Sequence, residues 1–327
     1  MTRPEEAQAA AAVLMVRPAR FARNPETLAS NKFQSRVAAP TDVATLARAE
    51  FDHAAAALAA AGIRVHVFDG RATGECPDEV FPNNWVSFHA DGTTVLYPML
   101  APSRRRERRN EFLQALQAEH GYAITRTVDL TSQENAGRCL EGTGSLVLDR
   151  PQRTAYSCVS PRTDPAALAE FAMQLDYECI VFNATDARGQ PIYHTNVLMS
   201  VGSRFAVVCL PAIAETRARE AIVSRIERSG RTLIDITLEQ MHGFAANLLE
   251  LEAADGAVIA LSARAYAALE NHQRERLAAA GRLLTIEIPT IETYGGGSLR
   301  CMLAEVHLPL QADSGSREPN ENDAHEH

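Results

Sequence analysis

The chain has 327 residues, of which 46% are hydrophobic and 22% charged, and its formal net charge is -9. This length allows two ordinary domains or one large α/β unit, and the acidic balance argues against nonspecific binding to nucleic acid. No apolar run approaches the roughly 20 residues that a membrane span needs, and the first residues lack the pattern of a signal peptide. We expect a soluble, cytoplasmic protein that binds neither nucleic acid nor membranes.

In chain order, pairs of apolar strand-like segments alternate with helical patterns. The pairs turn near residues 91, 149, 202, 255 and 296, which gives a period of about 50 residues. The helical patterns cover residues 42–62, 104–121, 164–174, 212–229 and 263–280. One such unit alone would expose apolar surface that its neighbours can cover, so the repeat predicts a propeller-like ring of five αβ units. Two doubly wound domains are the weaker alternative, because no GxGxxG or P-loop follows a strand.

The two ends of the chain differ from this repeat in composition. We expect residues 1–12 to be flexible, residues 13–310 to form a single domain, and the polar residues 311–327 to be disordered. The basic run at residues 104–109 begins a helical pattern, so most of its side chains are expected on a solvated face.

Six cysteines are spread along the chain, with no CxxC pair and no histidine at metal-ligand spacing. The sequence therefore predicts no metal site. Cys158, Cys179 and Cys209 lie in apolar strand-like runs, where we expect small core side chains.

Two adjacent asparagines, Asn83 and Asn84, interrupt an apolar segment at residues 80–88 that reads as a buried strand. Buried amides without hydrogen-bond partners cost stability. The two side chains therefore need a partner that the local sequence does not supply.

Three further positions combine a reactive side chain with glycine or an apolar strand. Cys301 follows a glycine triplet and is either a nucleophile or a core thiol. His194 precedes an apolar strand and is either a catalyst or a structural histidine. Glu141 opens a strand beside Gly142 and Gly144, where it belongs to a surface turn or, if buried, needs a cationic partner such as a protonated His194.

Two arginines, Arg104 and Arg162, each come just after a predicted strand. Bidentate binding of a carboxylate is geometrically easy at such a place. The alternatives are a helix start for Arg104 and a simple turn for Arg162. Each of these signals is weak alone, and their order and spacing make them specific.

In that order and spacing, the blocks resemble the guanidino-group modifying superfamily, the pentein fold. It includes arginine deiminases, dimethylarginine dimethylaminohydrolases and glycine amidinotransferases. The matching blocks run from VLMVRP at residue 13 to CMLAEV at residue 306. The resemblance implies a five-bladed αβ propeller, with a pseudo-fivefold repeat and an active site in its central channel.

The resemblance also implies a catalytic triad. The glycine-rich block YGGGSLRC implies Cys301 as nucleophile, YHTN implies His194 as acid and base, and LEGTGS implies Glu141 as the carboxylate partner of the histidine. No metal or organic cofactor is implied.

Substrate-binding residues follow from the remaining blocks. PDEVFPNN implies Asp78 for the α-amino group and Asn83 and Asn84 for the head group of an amino-acid substrate. APSRR implies Arg104 as a substrate contact, SPRT implies Arg162 on the α-carboxylate, and YHTN adds Asn196, so that the substrate set comprises Asp78, Asn83, Asn84, Arg104, Arg162 and Asn196.

The departures from the pattern concern charge. Asn84 and Asn196 stand where arginine-handling members carry carboxylates, and Asn83 replaces a third acidic residue. A buried guanidinium facing neutral amides would lose the charge pairing that offsets its desolvation. A neutral ureido group suits amide donors and acceptors, so the pattern resembles the citrulline-utilization hydrolase branch, often labelled generically as amidinotransferase.

This branch also shares the N-terminal signature RPARFARNPETLASNKFQ, whose Asn24, Asn31 and Phe33 either form a lid or fix the first blade. The resemblance implies hydrolysis of L-citrulline to L-ornithine, carbon dioxide and ammonia through a carbamoyl thioester on Cys301. A hydrolase or amidinotransferase acting on guanidino substrates is the nearest alternative. A noncatalytic pentein-fold binding module is the alternative from another class, and the triad argues against it. The expected partner is a small amino acid, and a homo-oligomer is left open.

Overall fold

The computed structural model of the chain describes residues 5–35, 37 and 39–311. The tail predicted to be disordered lies outside these residues, apart from Gln311. Within the described part of the chain, no helix is both long and apolar enough to cross a membrane.

Strands and helices alternate along the described residues. The strands are β1 Ala12–Arg17, β2 Arg64–Asp69, β3 Val86–Phe88, β4 Thr93–Leu96, β5 Arg126–Asp129, β6 Val147–Asp149, β7 Thr154–Cys158, β8 Glu178–Phe182, β9 Met199–Val201, β10 Phe205–Val208, β11 Thr232–Asp235, β12 Leu249–Ala253, β13 Gly256–Ser262, β14 Arg282–Ile286 and β15 Ala304–Glu305. The α-helices are α1 Val43–Ala60, α2 Pro102–Arg105, α3 Asn110–Ala118, α4 Gly142–Ser145, α5 Pro165–Leu175, α6 Thr216–Arg228, α7 Leu238–His242, α8 Ala263–Ala268, α9 Asn271–Ala280 and α10 Pro289–Gly295. Short 3₁₀ turns are Pro82–Asn84, Thr131–Ala136, Thr195–Val197, Leu210–Ala212 and Leu299–Met302.

The strands form five sheets of three strands, each on the same plan. In one sheet, β3 pairs antiparallel with β4, and β4 pairs parallel with β5. The same plan orders β6 to β8, β9 to β11 and β12 to β14. Parallel neighbours need a crossover connection, which α3, α5, α6 and α9 provide. The predicted repeat of five αβ units is confirmed as five small sheets.

The remaining sheet joins the two ends of the chain. In it, β15 pairs antiparallel with β1, and β1 pairs parallel with β2. The predicted strand pair turning near residue 296 is therefore wrong, because α10 and a 3₁₀ turn occupy most of that segment. The antiparallel partner of β15 lies at the opposite end of the sequence, where local periodicity cannot identify it.

Helix α1 illustrates how each crossover packs. Its buried residues recur every three or four positions and form one apolar face: Val43, Ala47, Phe51, Ala54 and Leu58. The helix ends before Gly62, whose φ of +90° is one that glycine adopts readily. The helix predicted over residues 42–62 is thus observed with slightly shorter bounds.

Polar segments next to the strands differ from the sequence prediction. Asn83 and Asn84 lie in a 3₁₀ turn, and strand β3 begins only at Val86. Pro82 opens that turn and has no backbone N–H for a strand ladder. Glu141 likewise precedes the short helix α4 instead of opening a strand.

The basic run at residues 104–109 is also less solvated than predicted. Arg104 is buried and paired with Glu107, and Arg106 is the exposed member. The other three arginines are half-buried, two of them beside Glu134. Glu107 and Glu134 therefore neutralise much of the positive charge of these arginines.

The N-terminal segment differs from the flexible one expected over residues 1–12. In its described part, Glu6 and Gln8 are buried. The Gln8 amide donates 2.9 Å hydrogen bonds to the carbonyls of Leu148 and Val201, and the Glu6 carboxylate accepts one from Arg150. These partners are distant in sequence. The composition of residues 1–12 therefore gives no sign that Glu6 and Gln8 are buried.

Candidate active site

Five turns, one before the antiparallel pair of each sheet, lie side by side. They are Pro82–Asn84, Gly142–Ser145, Thr195–Val197, residues 243–247 and Leu299–Met302. The first turn contacts the second and the last, and the second contacts the third. The repeat therefore brings polar residues from five distant parts of the chain into one region.

One small cavity in this region is lined by several of the predicted site residues, namely Asp78, Asn84, Arg104, Arg162, His194 and Cys301. Its volume is about 10 Å³, room for about one water molecule. Two of the other three predicted residues contact its lining: Glu141 contacts His194, and Asn196 contacts Cys301. Asn83 is the chain neighbour of Asn84, and its side chain contacts Thr143 in the adjacent turn. The sequence-predicted residues are thus all brought together, while their roles stay predictions.

The predicted triad is buried. The Nε2 atom of His194 lies 2.8 Å from Oε2 of Glu141, and the Cys301 sulfur lies 3.6 Å from Nδ2 of Asn196. Glu141 is held at the start of α4, where its backbone N–H donates to Ser145 Oγ. The carboxylate, imidazole and thiol therefore come from three different turns.

Burial, more than the charge of Glu141, determines the protonation state of His194. Burial acts to raise the pKa of Glu141, but Arg162, His194 and Arg104 together hold it well below its usual range. Burial lowers the pKa of His194 to about 4, against the opposing influence of Glu141. The imidazole is therefore neutral near pH 7, and the protonated partner considered for Glu141 is not what the structure favours. Because an ionised Glu141 only accepts, we assign the proton to Nε2 and a free lone pair to Nδ1.

Arg104 fixes the orientation of Asn84. Its Nη1 donates to Asn84 Oδ1 at 2.8 Å, while its Nε and Nη2 donate to Glu107 at 3.0 Å. Nη2 also donates to the Phe81 carbonyl at 3.2 Å. A guanidinium has no acceptor, so the oxygen of Asn84 must face it. The amide nitrogen of Asn84 consequently points away from Arg104.

Four buried polar atoms at the site have no hydrogen-bond partner among the described residues: Asp78 Oδ1, Asn83 Oδ1, Asn84 Nδ2 and Asn196 Oδ1. A Cβ on Gly144 would meet Asn84 Nδ2 at 2.4 Å and His194 Nδ1 at 2.7 Å. These two nitrogens therefore face the same small space. Unpaired buried polar atoms are costly. Two of the four, Asp78 Oδ1 and Asn84 Nδ2, belong to residues that line the cavity, as a site for a polar ligand requires.

Arg162 and Asp78 supply opposite charges to the cavity. The Arg162 guanidinium lies 4.9 Å from the centre of the Tyr193 ring and donates to Ser30 Oγ at 2.9 Å and to Glu141 Oε2 at 3.3 Å. Asp78 accepts a 2.9 Å hydrogen bond from Asn24 on Oδ2 only. Burial raises the pKa of Asp78, although Arg104 opposes this.

Residues 24–34, which we call the cover segment, lie across this cavity. Besides Asn24 and Ser30, the segment places Asn31 Nδ2 at 3.1 Å from the Gly296 carbonyl. Phe33 packs against Phe244, with ring centres 5.1 Å apart. Beyond the segment lies an open cleft of about 950 Å³. Of the signature residues that sequence reasoning could not assign, Asn31 therefore lines the cavity and Asn24 holds Asp78.

Sequence reasoning missed several groups that the structure adds to the site. Asn247 contacts the Cys301 sulfur, Glu107 pairs with Arg104, and the Tyr193 hydroxyl donates to Gly296 at 2.6 Å. The repeat carries a signal for Asn247, since it precedes its strand pair as Asn84 and Asn196 precede theirs. Nothing in the sequence marks Glu107, whose burial depends on the tertiary fold.

The fold of five three-stranded sheets resembles solved structures of an arginine dihydrolase and of a dimethylarginine dimethylaminohydrolase. The family model for eukaryotic N,N-dimethylarginine dimethylhydrolases matches residues 17–308, and the chain belongs to this family of hydrolases. Among curated protein sequences, none matches the chain.

Three solved structures illustrate the likeness. The arginine dihydrolase ArgZ of the ornithine–ammonia cycle in cyanobacteria is 18% identical, with a TM-score of 0.71 over 92% of this chain and 41% of that chain. AgrE in complex with L-arginine is 16% identical, with a TM-score of 0.70 over 92% of this chain and 41% of that one. A dimethylarginine dimethylaminohydrolase adduct with S-methyl-L-thiocitrulline is 13% identical, with a TM-score of 0.61 over 90% of this chain and 98% of that one. The chain thus spans about two fifths of the length of ArgZ and AgrE.

Proposed function

We propose that the protein hydrolyses the ureido group of L-citrulline, giving L-ornithine, carbon dioxide and ammonia. In this proposal the five sheets are the blades of a propeller, and the cavity lies in its central channel. The observation that carries the proposal is the set of buried amide atoms without partners at the head-group end.

The hydrogen-bonding pattern of those atoms suits a ureido group. Asn84 Nδ2 offers a donor to the ureido carbonyl, while Asn83 Oδ1 and Asn196 Oδ1 offer acceptors to its N–H groups. A site whose polar groups are matched by the substrate discriminates strongly against substrates that leave them unpaired.

The charges at this end disfavour a guanidinium. Glu107 is already paired with Arg104, and Glu141 faces both Arg162 and Arg104. In this proposal Asp78, the cavity carboxylate with an unpartnered oxygen, binds the α-amine. A substrate guanidinium beside Asn84 would then come close to the guanidinium of Arg104, with no other free carboxylate among the described cavity residues to offset its desolvation. A neutral head group avoids that cost.

The amino-acid end of the substrate meets the charged pair. Arg162 would exchange its hydrogen bonds to Ser30 for the α-carboxylate, and Asp78 would accept from the α-amine with its unpartnered Oδ1. The N–H groups of Arg104 are largely committed to Glu107 and Asn84. Arg104 therefore serves here to hold Asn84, in place of the direct substrate contact that the resemblance implies.

In the first chemical step, neutral His194 removes the thiol proton of Cys301 and the sulfur attacks the ureido carbon. The bond from that carbon to the substrate δ-nitrogen breaks as the protonated His194 returns the proton to that nitrogen. Ornithine leaves, and a carbamoyl thioester remains on Cys301. Glu141 orients the imidazole and stabilises its transient charge.

In the second step, His194 accepts a proton from water, whose oxygen attacks the thioester carbon. The carbon–sulfur bond breaks, its electron pair stays on sulfur, and the thiolate recovers the proton from His194. The released carbamic acid decomposes to carbon dioxide and ammonia. The opposite order, with ammonia expelled first, gives an ornithine-derived thioester and the same final products.

A second candidate is hydrolysis of L-arginine at the same site. It is favoured by the likeness of the fold to ArgZ, named an arginine dihydrolase, and to AgrE bound to L-arginine. Charge matching at Asn84 and Asn196 favours citrulline over this candidate.

The test incubates the protein separately with citrulline, arginine and dimethylarginine and measures ornithine, citrulline and ammonia. Citrulline should yield equal amounts of ornithine and ammonia, and Cys301→Ala should abolish this turnover. Rapid conversion of arginine with inert citrulline would replace the proposal with the second candidate. Undiminished turnover by Cys301→Ala would remove the mechanism.

A further inference from the structure

The turn that precedes β12 carries a buried polar residue for which the sequence assigns no role. The other four turns carry or adjoin the predicted site residues Asn83, Asn84, Glu141, Asn196 and Cys301. Asn247 ends the remaining turn and is completely buried, with 0% exposure. Its position in the repeat is equivalent to that of the asparagines before β3 and β9.

The side chain of Asn247 bridges two of the other turns. Its Nδ2 donates to the Asn196 carbonyl at 3.0 Å and lies 3.4 Å from the Cys301 sulfur, while its Oδ1 lies 3.8 Å from that sulfur. A backbone carbonyl only accepts, so the nitrogen must face Asn196 and the orientation of the amide is fixed. The second hydrogen of Nδ2 is then available to the sulfur.

We propose that Asn247 is a further catalytic residue, which donates a hydrogen bond to the Cys301 sulfur and stabilises it as a thiolate. This inference rests on the cysteine nucleophile of the proposed function. Asn196 Nδ2, at 3.6 Å, is the second amide donor to the sulfur. Donors of this kind favour the charged form of the group that they contact.

The same hydrogen bond serves both chemical steps. It favours loss of the thiol proton before attack on the substrate carbon. It also favours departure of the sulfur when water has added to the thioester and the carbon–sulfur bond breaks, since the electron pair then stays on sulfur. A purely structural Asn247 would tie two turns together through the Asn196 carbonyl without affecting ionisation of the thiol.

The experiment measures the pH dependence of alkylation of Cys301 by iodoacetamide, with peptide mass mapping and Cys301→Ser to assign the reactive thiol. Asn247→Leu removes the donor at similar size, and Asn247→Asp keeps the shape while adding negative charge. The pH midpoint of alkylation should rise by about one to two units in Asn247→Leu, and at least as far in Asn247→Asp. Turnover should fall through kcat more than through KM.

Gln240→Leu is the matched control, because Gln240 is a buried amide of the capping box at α7. It should lower the thermal midpoint of unfolding and leave the alkylation midpoint unchanged. Unchanged alkylation midpoints in a folded Asn247 variant would overturn the proposal. If Asn247→Leu fails to fold, Asn247→Ala, which also removes the donor and adds no charge, decides. A shifted midpoint in a protein that does not hydrolyse citrulline would sustain this inference and reject the substrate.

Discussion

At the scale of single residues, the site is a set of neutral amides held in place by charged neighbours. Arg104 binds the oxygen of Asn84, so that the amide nitrogen of Asn84 faces the cavity. The amide nitrogen of Asn247, in the turn before β12, lies next to the Cys301 sulfur. His194 is neutral because burial outweighs the carboxylate beside it. The reacting end of the site therefore carries little free charge, as a neutral substrate requires.

A substitution at Gly144 tests whether Asn84 and His194 pack tightly around the reacting atoms. Gly144→Ala would place a methyl group in the space shared by Asn84 Nδ2 and His194 Nδ1. Both side chains would have to move, so kcat/KM for citrulline should fall by about 100-fold or more while the fold persists. Steady-state kinetics and thermal unfolding measure the two effects.

The control for this substitution is Gly230→Ala, at an exposed turn with φ of +74° and no atom within 4 Å of the new Cβ. It should lose some stability through backbone strain and keep full activity. Wild-type turnover by Gly144→Ala would mean that the two nitrogens do not face the reacting atoms.

The sequence predicts these residues unequally well. Glu141, His194 and Cys301 sit in motifs whose order is informative, and the structure brings them together. The neutrality of His194 and the burial of Glu107 depend on how many groups of the folded chain surround each side chain. The number of these neighbours follows from the tertiary fold and cannot be read from the residues adjacent in sequence.

At the scale of elements, we expect the cover segment to control access to the cavity. Its contacts with Asp78 and Arg162 use the groups proposed to bind the two ends of the amino acid, and the cavity beneath it holds about one water molecule. Residues 24–34 must therefore move before a substrate enters. Local opening of this kind is cheaper than unfolding of the whole domain.

A lysine-specific protease reports this opening, because Lys32 is the only lysine in the chain and lies in the cover segment. Phe33→Ala removes packing against Tyr193, His242 and Phe244, so native-state cleavage after Lys32 should accelerate by about fivefold or more. Gly230→Ala, which weakens the fold elsewhere, should leave the rate unchanged. A cleavage rate that follows global stability in both variants would argue against a separate opening of the segment.

Element boundaries show where sequence periodicity succeeds and where it stops. The helix α1 and four of the strand pairs follow from apolar spacing. The fifth pair fails because β15 finds its partner in β1, nearly a whole chain away. The helix predicted over residues 104–121 divides into α2 and α3, since Arg104 turns into the core to meet Glu107 and Asn84.

At the scale of the whole molecule, a buried ion network ties both ends of the chain to its middle. Glu6 pairs with Arg150, whose Nε lies 3.6 Å from Glu305, and Arg300 lies 2.9 Å from the same carboxylate. Burial acts to raise the pKa of Glu6 and of Glu305, but Arg150 and other neighbours lower both pKa values well below the usual range.

This network predicts acid sensitivity. A carboxylate whose pKa is lowered by folding stabilises the protein above its unfolded pKa, near 4.5 for glutamate, and that stability is lost as the pH falls below it. Glu6→Gln should lower the free energy of unfolding at pH 7 by roughly 3–5 kcal/mol, because it removes the carboxylate nearest to the buried Arg150 guanidinium and leaves only the more distant Glu305 to offset its charge. Its stability should also vary less than that of the wild type between pH 5 and pH 3.

Glu5→Gln is the matched control, since Glu5 is the exposed neighbour of Glu6. Urea unfolding of both variants across this pH range measures the difference. Equal stabilities of Glu6→Gln and Glu5→Gln would show that the N-terminal segment contributes little to the fold.

The central claim is that neutral amides select a neutral ureido substrate. The most direct measurement is the ratio of kcat/KM for citrulline to kcat/KM for arginine in the wild type and in the double variant Asn84→Asp with Asn196→Asp. Restoring two carboxylates should move this ratio toward arginine by about 100-fold or more, as expected for pairing of a desolvated cation. An unchanged ratio in a folded, active double variant would contradict the claim.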